Sequence, residues 1–189
     1  MTAVVRDRMV EGAIQLLAQR GIQATSFSEV IALTKAPRGS IYHHFPRGKD
    51  QLVGEAVELA GHRTLMRMKE LDGEPAAGVT AAFLDLWRSL LVQLDFSTGC
   101  SVVAVTVATD NADLVDAAGR VFRGWTHELA GLLVTGGVPH EAAKALATTL
   151  IAGAEGAVLV SRATRDIDDF DAVAQQLLSL VAFASSPAS

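Results

Sequence analysis

The sequence predicts an all-α fold of about nine helices. Apolar residues recur at helical spacing through almost every segment, and Gly and Pro punctuate them at short intervals. The one valine-rich run has no second strand to pair with. Half of the 189 residues are apolar and a fifth are charged, with a net charge of −5, which describes a folded chain with room for a sizeable core.

The elements follow in order. Val10, Ala13, Ile14 and Leu17 form the stripe of a first helix, which stops at Gly21. Ser26-Phe27-Ser28-Glu29 has the pattern of a capping box, in which the Ser26 hydroxyl accepts from the Glu29 amide and the Glu29 carboxylate reaches back. It opens a short helix over 27–33. Pro37 suits the first turn of the next, 37–44, because its missing N–H would be unpaired there anyway. Pro46-Arg47-Gly48 breaks that helix, and a long one is expected from 49 to about 71. Gly73-Glu74-Pro75 is a turn, after which Phe83, Trp87, Leu90, Leu91 and Leu94 mark a helix. Ser97-Thr98-Gly99 turns again, and 101–108 is read as helical despite its valines. Phe122, Trp125, Leu129, Leu132 and Leu133 mark a helix ended by Gly136-Gly137. A helix rich in Ala and Gly runs over about 139–162, and Phe170, Val173, Leu177, Leu180 and Val181 mark the last.

Several function classes drop out. No apolar stretch is read as approaching the roughly 18 residues a membrane span requires, so no membrane is expected. The start lacks an apolar h-region or cleavage pattern, and a cytoplasmic protein is expected. A lone Cys100 leaves no intrachain disulfide and no cysteine-based zinc site. There is no Gly-rich phosphate loop, Gly-x-Ser-x-Gly elbow or His-Glu-x-x-His pattern, so neither an enzyme nor a cofactor is expected. Asp166-Ile167-Asp168-Asp169 lacks the Gly and distal Glu of a calcium loop. His43 and His44 point about 100° apart on a helix, with no further ligand beside them, so no metal is expected.

Charge is uneven. Residues 1–50 hold seven Lys/Arg against four Asp/Glu, and the rest hold nine against seventeen. A basic head on an acidic body attracts polyanions locally. Within that head, two helices of about seven residues joined by Thr34-Lys35-Ala36 have the lengths of a helix-turn-helix. Phe27, Val30, Ile31, Ala36, Ile41 and Phe45 would form its core with Ile14 and Leu17. Lys35, Arg38, Ser40, Tyr42, His43 and His44 are then free to point outward. Lys35 and Arg38 lie at the end that meets base edges in this motif, and Gly39 offers no side chain to hold the helix off a groove.

The string from Ala24 to Ile31, followed by Pro37-Arg38-Gly39-Ser40-Ile41-Tyr42-His43-His44-Phe45-Pro46-Arg47-Gly48-Lys49-Asp50-Gln51-Leu52, resembles the N-terminal domain of TetR-family transcriptional regulators. The Pro-Arg-Gly-Ser-Ile-Tyr-His-His-Phe-Pro run and Gly99-Cys100 are similar to the LmrA/YxaF-like subgroup. The resemblance implies a DNA-binding domain over 1–48 and a helical effector-binding and dimerisation domain over 49–189. It implies phosphate contacts from Thr25, Ser26 and Lys49, base or phosphate contacts from Arg38 and Ser40, and backbone contacts from Tyr42 and His43, with Thr25 read otherwise as a helix-start residue only and Tyr42 as core. Lys35 is a departure, since the family commonly has Gly in the turn. A non-Gly residue costs something there if φ is positive.

The family generally holds its effector in the helical body. Met66, Phe83, Trp87, Leu91, Leu94, Cys100, Val103, Val107, Phe122, Trp125 and Leu129 are candidates to line such a cavity, or else ordinary core. Their apolar character predicts a small hydrophobic, aromatic or polycyclic effector, with Asp110, Arg123 and His127 as polar handles. Cys100 reads either as a small hydrophobe or as a redox-sensitive thiol. Ala142, Ala145, Ala147, Ala152, Gly153, Gly156 and Ala157, with Val173, Leu177, Leu180 and Val181, either pair with a second copy as a four-helix interface or are buried within the monomer. The expected protein is a homodimeric regulator, by family tendency a repressor, bound to a palindromic double-stranded DNA operator until an effector releases it.

Overall fold

A computed structural model describes residues 2–186. Among them stand nine α-helices and no strand: α1 (Thr2–Arg20), α2 (Phe27–Thr34), α3 (Arg38–His44), α4 (Lys49–Lys69), α5 (Ala76–Gln93), α6 (Ser101–Thr106), α7 (Ala112–Thr135), α8 (His140–Thr164) and α9 (Ile167–Ala184). The all-α expectation holds, including a helix for the valine run. Val102 and Val105 of α6 are buried, and α6 packs on α1, so tertiary burial overrides the strand preference of its valines. Pro37 stands one residue outside α3, as its N-cap at φ −63°.

The chain forms two compact units. One comprises the residues up to Arg63 together with Cys100–Phe122, and the other comprises Thr64–Gly99 together with the residues from Arg123 on. These units are not the expected functional domains, 1–48 and 49–189, since the first unit extends past residue 48. The physical reason is a set of polar ties between α1, α4 and α7 within the first unit. Arg6 pairs with Glu55, Arg63 with Glu11 and Arg120 with Glu58, while Asn111 donates to Asp50 at 2.8 Å. Hydrogen bonding from Arg63 holds the Glu11 carboxyl below its ordinary value. Such partly exposed pairs contribute little each, so register is their main effect.

In the same unit α1 buries Met9, Val10, Ala13, Leu16 and Leu17. It comes so close to α2 that a β-carbon at Gly12 would collide with the Thr34 methyl. Thr34 is buried there, and its hydroxyl is satisfied by donating to the Val30 carbonyl at 2.7 Å.

In the second unit α8 packs on α9 and both pack on α5. Gly153 lets Leu177 approach closely, since a β-carbon would stand 2.9 Å from its Cδ1. Arg88 of α5 makes a bidentate pair with Asp171 of α9 at 2.7 and 2.8 Å. Trp87 meets Trp125 edge to face, with ring centres 6.1 Å apart.

One sequence expectation needs correction. α8 carries an 18-residue window with mean hydropathy 1.4, so by length and composition it is apolar enough to cross a membrane. Half of that window is buried inside the chain, as a core helix would be.

Candidate nucleic-acid interface

The site is built on α2, the turn after it, and α3. Ser26 caps α2, its hydroxyl accepting from the Glu29 amide at 3.2 Å and sharing a hydrogen bond with the Ser28 hydroxyl. The reciprocal half of the expected capping box is not made. The Glu29 carboxylate pairs with Arg20 at 3.3 Å instead.

Lys35 closes α2 in the left-handed region, φ 55° and ψ 30°, the backbone state for which a Gly is usual. Its side chain is exposed. Ala36 is then buried, Pro37 redirects the chain, and α3 presses Ile41 and the following Phe45 into the core at 0% and 1% exposure. Because those two are four residues apart, the opposite face is fixed outward. Arg38, Gly39, Tyr42 and His43 are exposed, and a β-carbon on Gly39 would meet nothing within 4 Å. Tyr42 is 68% exposed yet held, its ring edge-on to Phe27 at 5.4 Å. The Ser40 hydroxyl is committed to the Pro37 carbonyl at 2.7 Å.

Three of the seven Lys/Arg in the first fifty residues are engaged, Lys49 by its hydrogen bond to the Ile22 carbonyl and the other two by ion pairs. Arg6 pairs with Glu55 and lies over the Phe45 ring, and Arg20 pairs with Glu29. Among the described residues, Arg8, Lys35, Arg38 and Arg47 make no ion pair, and three of these four lie on the turn and around α3.

Two assignments change. Thr25 is fully buried, and its hydroxyl donates to the Gly21 carbonyl at 2.9 Å. It shapes the approach to α2 and offers no hydroxyl to a phosphate. The Lys49 ammonium does not stand free at the surface but donates to the Ile22 carbonyl at 2.6 Å. Neither bond carries a sequence signal, because the acceptors are main-chain atoms.

The candidate effector residues fall in both units. Met66, Phe83, Trp87, Leu91, Leu94, Trp125 and Leu129 belong to the second, and Cys100, Val103, Val107 and Phe122 to the first. Phe83, Trp87, Leu91, Trp125 and Leu129 are buried, whereas Met66, Leu94 and Val107 are exposed, as are the proposed handles Asp110, Arg123 and His127. Cys100 is buried at the N-cap of α6. Two polar clefts open on the first unit. The larger, about 570 Å³, is lined by the ion-paired Arg6, Glu11, Glu55 and Arg63 with Val10 and Leu59 beside them, and by none of the expected effector residues.

The candidate interface residues also separate. Ala145 and Ala152 are exposed, Gly156 is half-buried with open space above it, and Leu180 is 43% exposed. Val173 is half-buried, and Leu177 and Val181 are core, so only part of the α9 stripe is open. Sequence reasoning missed Leu159, Val160 and Phe183, which are 53%, 51% and 83% exposed. They continue the helical spacing from Ala152 and Leu180, which is the signal that would have found them.

Residues 9–56 match the family described as bacterial regulatory proteins, tetR family, and residues 75–176 match the C-terminal domain of LmrA/YxaF-like transcriptional regulators. The chain is 37% identical to an uncharacterized HTH-type transcriptional regulator of Mycobacterium tuberculosis, over 93% of each protein. It is 27% identical to the HTH-type transcriptional regulator LmrA of Bacillus subtilis, over 82% of this chain and 85% of that one. The fold is similar to that of a TetR-family regulator from Agrobacterium tumefaciens, with TM-score 0.84 at 22% identity over 95% and 98% of the two chains.

Proposed function

The chain belongs to the TetR family of transcriptional regulators, on both its N-terminal and its LmrA/YxaF-like C-terminal matches, and from that premise we propose that it is a dimeric repressor released from a palindromic operator by a small apolar effector. The observation that carries the DNA half of this reading is the division of α3. Ile41 and Phe45 are buried on one side, while Arg38, Tyr42 and His43 are exposed on the other, with the unpaired Lys35 just before them. A short helix anchored in this way can enter a major groove with its N-terminal end toward the bases. Arg38 would read base edges or grip phosphate, and Lys35, Ser26, Tyr42 and His43 would hold the duplex backbone, which Ser40 could join only by turning its hydroxyl away from the Pro37 carbonyl.

A second copy supplies the second head. Reading two half-sites about 34 Å apart needs a two-fold dimer. The exposed stripe of Ala145, Ala152, Leu159 and Val160 on α8, with Leu180 and Phe183 on α9, supports these helices as its interface. Release follows if an effector in the body favours a position of α4 in which the two heads no longer fit together. α4 starts five residues after α3 ends, and Lys49 binds it to the turn before α2.

Capture of genomic fragments by the purified protein, followed by a screen for compounds that release them, tests this reading. One enriched palindrome and a releasing apolar compound are expected. Fragments retained without sequence preference, or equally by an Arg38→Ala protein, would overturn it.

A further inference from the structure

The joint between α3 and α4 is gathered on one carboxylate. Glu55 stands on α4 and lines both polar clefts of the first unit. Its Oε2 accepts from the Arg6 guanidinium of α1, and its Oε1 accepts from Gln51 Nε2 at 3.1 Å. Gln51 lies one turn earlier on the same face of α4. Its own Oε1 accepts from the Arg47 backbone N–H at 3.1 Å. A main-chain N–H only donates and a carboxylate only accepts, so a single orientation of the Gln51 amide serves both.

Both arms end at α3. Arg6, held by Glu55, lies over the Phe45 ring at 5.5 Å from its centre. Phe45 is the C-cap of α3, and Arg47 belongs to the break that follows it. The Phe45 ring stands 6.4 Å from that of Phe27, which in turn meets the exposed Tyr42 edge-on at 5.4 Å. By contrast, Glu11 and Glu58 pair with Arg63 and Arg120, further along α4 and on α7. The Glu55 side chain is 24% exposed, so its bonds are shielded from water more than those of a surface pair.

We propose that Glu55 is a positioning residue for DNA recognition: without touching the duplex, it sets the exposed face of α3 through Arg6 on one side and Gln51 on the other. This rests on the DNA-binding reading and adds to it residues that lie off the reading face. The sign of the effect separates position from charge. Glu55→Gln removes a negative charge from the unit that carries α3, which by electrostatics alone favours a polyanion. Loss of position weakens binding instead.

The test uses the full chain. Its one tyrosine, Tyr42, is labelled as 3-fluorotyrosine, so a single ¹⁹F signal reports on α3. The indole signals of Trp87 and Trp125, both in the second unit, report on the rest of the fold. In Glu55→Gln the ¹⁹F signal is expected to move or broaden while both indole signals stay in place. Affinity of the unlabelled chain for the duplex fragment that the native chain enriches should fall about tenfold, the scale of one charge-assisted hydrogen bond. Gln51→Ala changes no charge and suits a helix, so it decides the matter if Glu55→Gln does not fold. It should move the same ¹⁹F signal and weaken binding about threefold.

An unmoved ¹⁹F signal, or one that moves only together with the indole signals, would sink the inference. So would a folded Glu55→Gln chain that binds its duplex as tightly as the native one, or a Gln51→Ala chain that does so where Glu55→Gln does not fold. These outcomes leave the DNA-binding reading standing. A native chain that retains no duplex would sink that reading, and this inference with it.

Discussion

The Lys49 ammonium lies 2.6 Å from the carbonyl oxygen of Ile22, which ties the first residue of α4 to the turn between α1 and α2. The bond is partly buried, and its acceptor is three residues before Thr25, whose own hydroxyl holds the Gly21 carbonyl at 2.9 Å. The turn that aims α2 is thus held from two sides by side chains that face inward.

Lys49→Ala should therefore act through position. A charge-assisted hydrogen bond of this kind contributes about 1.5–3 kcal/mol, so the melting temperature should fall by several degrees and binding to every sequence should weaken. The slope of log affinity against log salt should stay unchanged, because no phosphate contact is lost. A slope smaller by about one in salt-series titrations would instead show that Lys49 neutralises a phosphate.

Arg38→Ala should change which sequences are bound. The side chain is exposed at the first position of α3 and makes no ion pair among the described residues. Loss of one good base contact costs about 1–3 kcal/mol of discrimination, roughly fivefold to more than a hundredfold at the affected base pair. Binding to a library of operator variants, before and after the substitution, reads this directly.

Lys35→Gly should separate stability from affinity. The left-handed backbone at φ 55° costs a non-Gly residue about 1 kcal/mol, so the Gly protein should melt a few degrees higher. It should also bind DNA more weakly, with a salt slope smaller by about one, because an unpaired cation is gone. A variant that melts lower would mean that the Lys35 side chain holds the turn.

The head was legible because its signals are local. Capping by Ser26, the break at Pro37 and the four-residue spacing of Ile41 and Phe45 all act within one turn of the chain. Thr25 was not, because a Thr before a helix looks the same whether its hydroxyl faces solvent or a carbonyl four residues back. Leu177 and Leu180 look equally apolar in sequence, and only Gly153 opposite Leu177 decides which is core. The pairings of Arg6 with Glu55 and Glu11 with Arg63 were not legible either, because they join residues about fifty positions apart.

Asp171→Asn should flatten the acid limb of stability. The hydrogen bonds from Arg88 hold the Asp171 carboxyl below its ordinary value of 3.8. A depressed carboxyl contributes stability that is fully present above the unfolded-state value and is lost as pH falls through the folded one. Native and variant melting temperatures should differ by a constant amount above about pH 5 and converge below about pH 4. The pair is half-exposed, so the difference should be small and should shrink in high salt. A gap that persists into acid would assign the loss to packing.

Phe183→Ser tests the assembly. Phe183 is 83% exposed near the end of α9, so within one chain its ring buries little, and substitution should leave the monomer's fold intact. If α8 and α9 meet a second copy, burial of that ring contributes about 1.5–3 kcal/mol in each subunit, and both rings are lost together in the symmetric variant. Dimer dissociation should then rise by a hundredfold or more, read by sedimentation over a dilution series. Affinity for a single half-site should hold while affinity for the full palindrome collapses, because linking the two heads supplies most of it. An unchanged dimer would move the interface away from this part of α9.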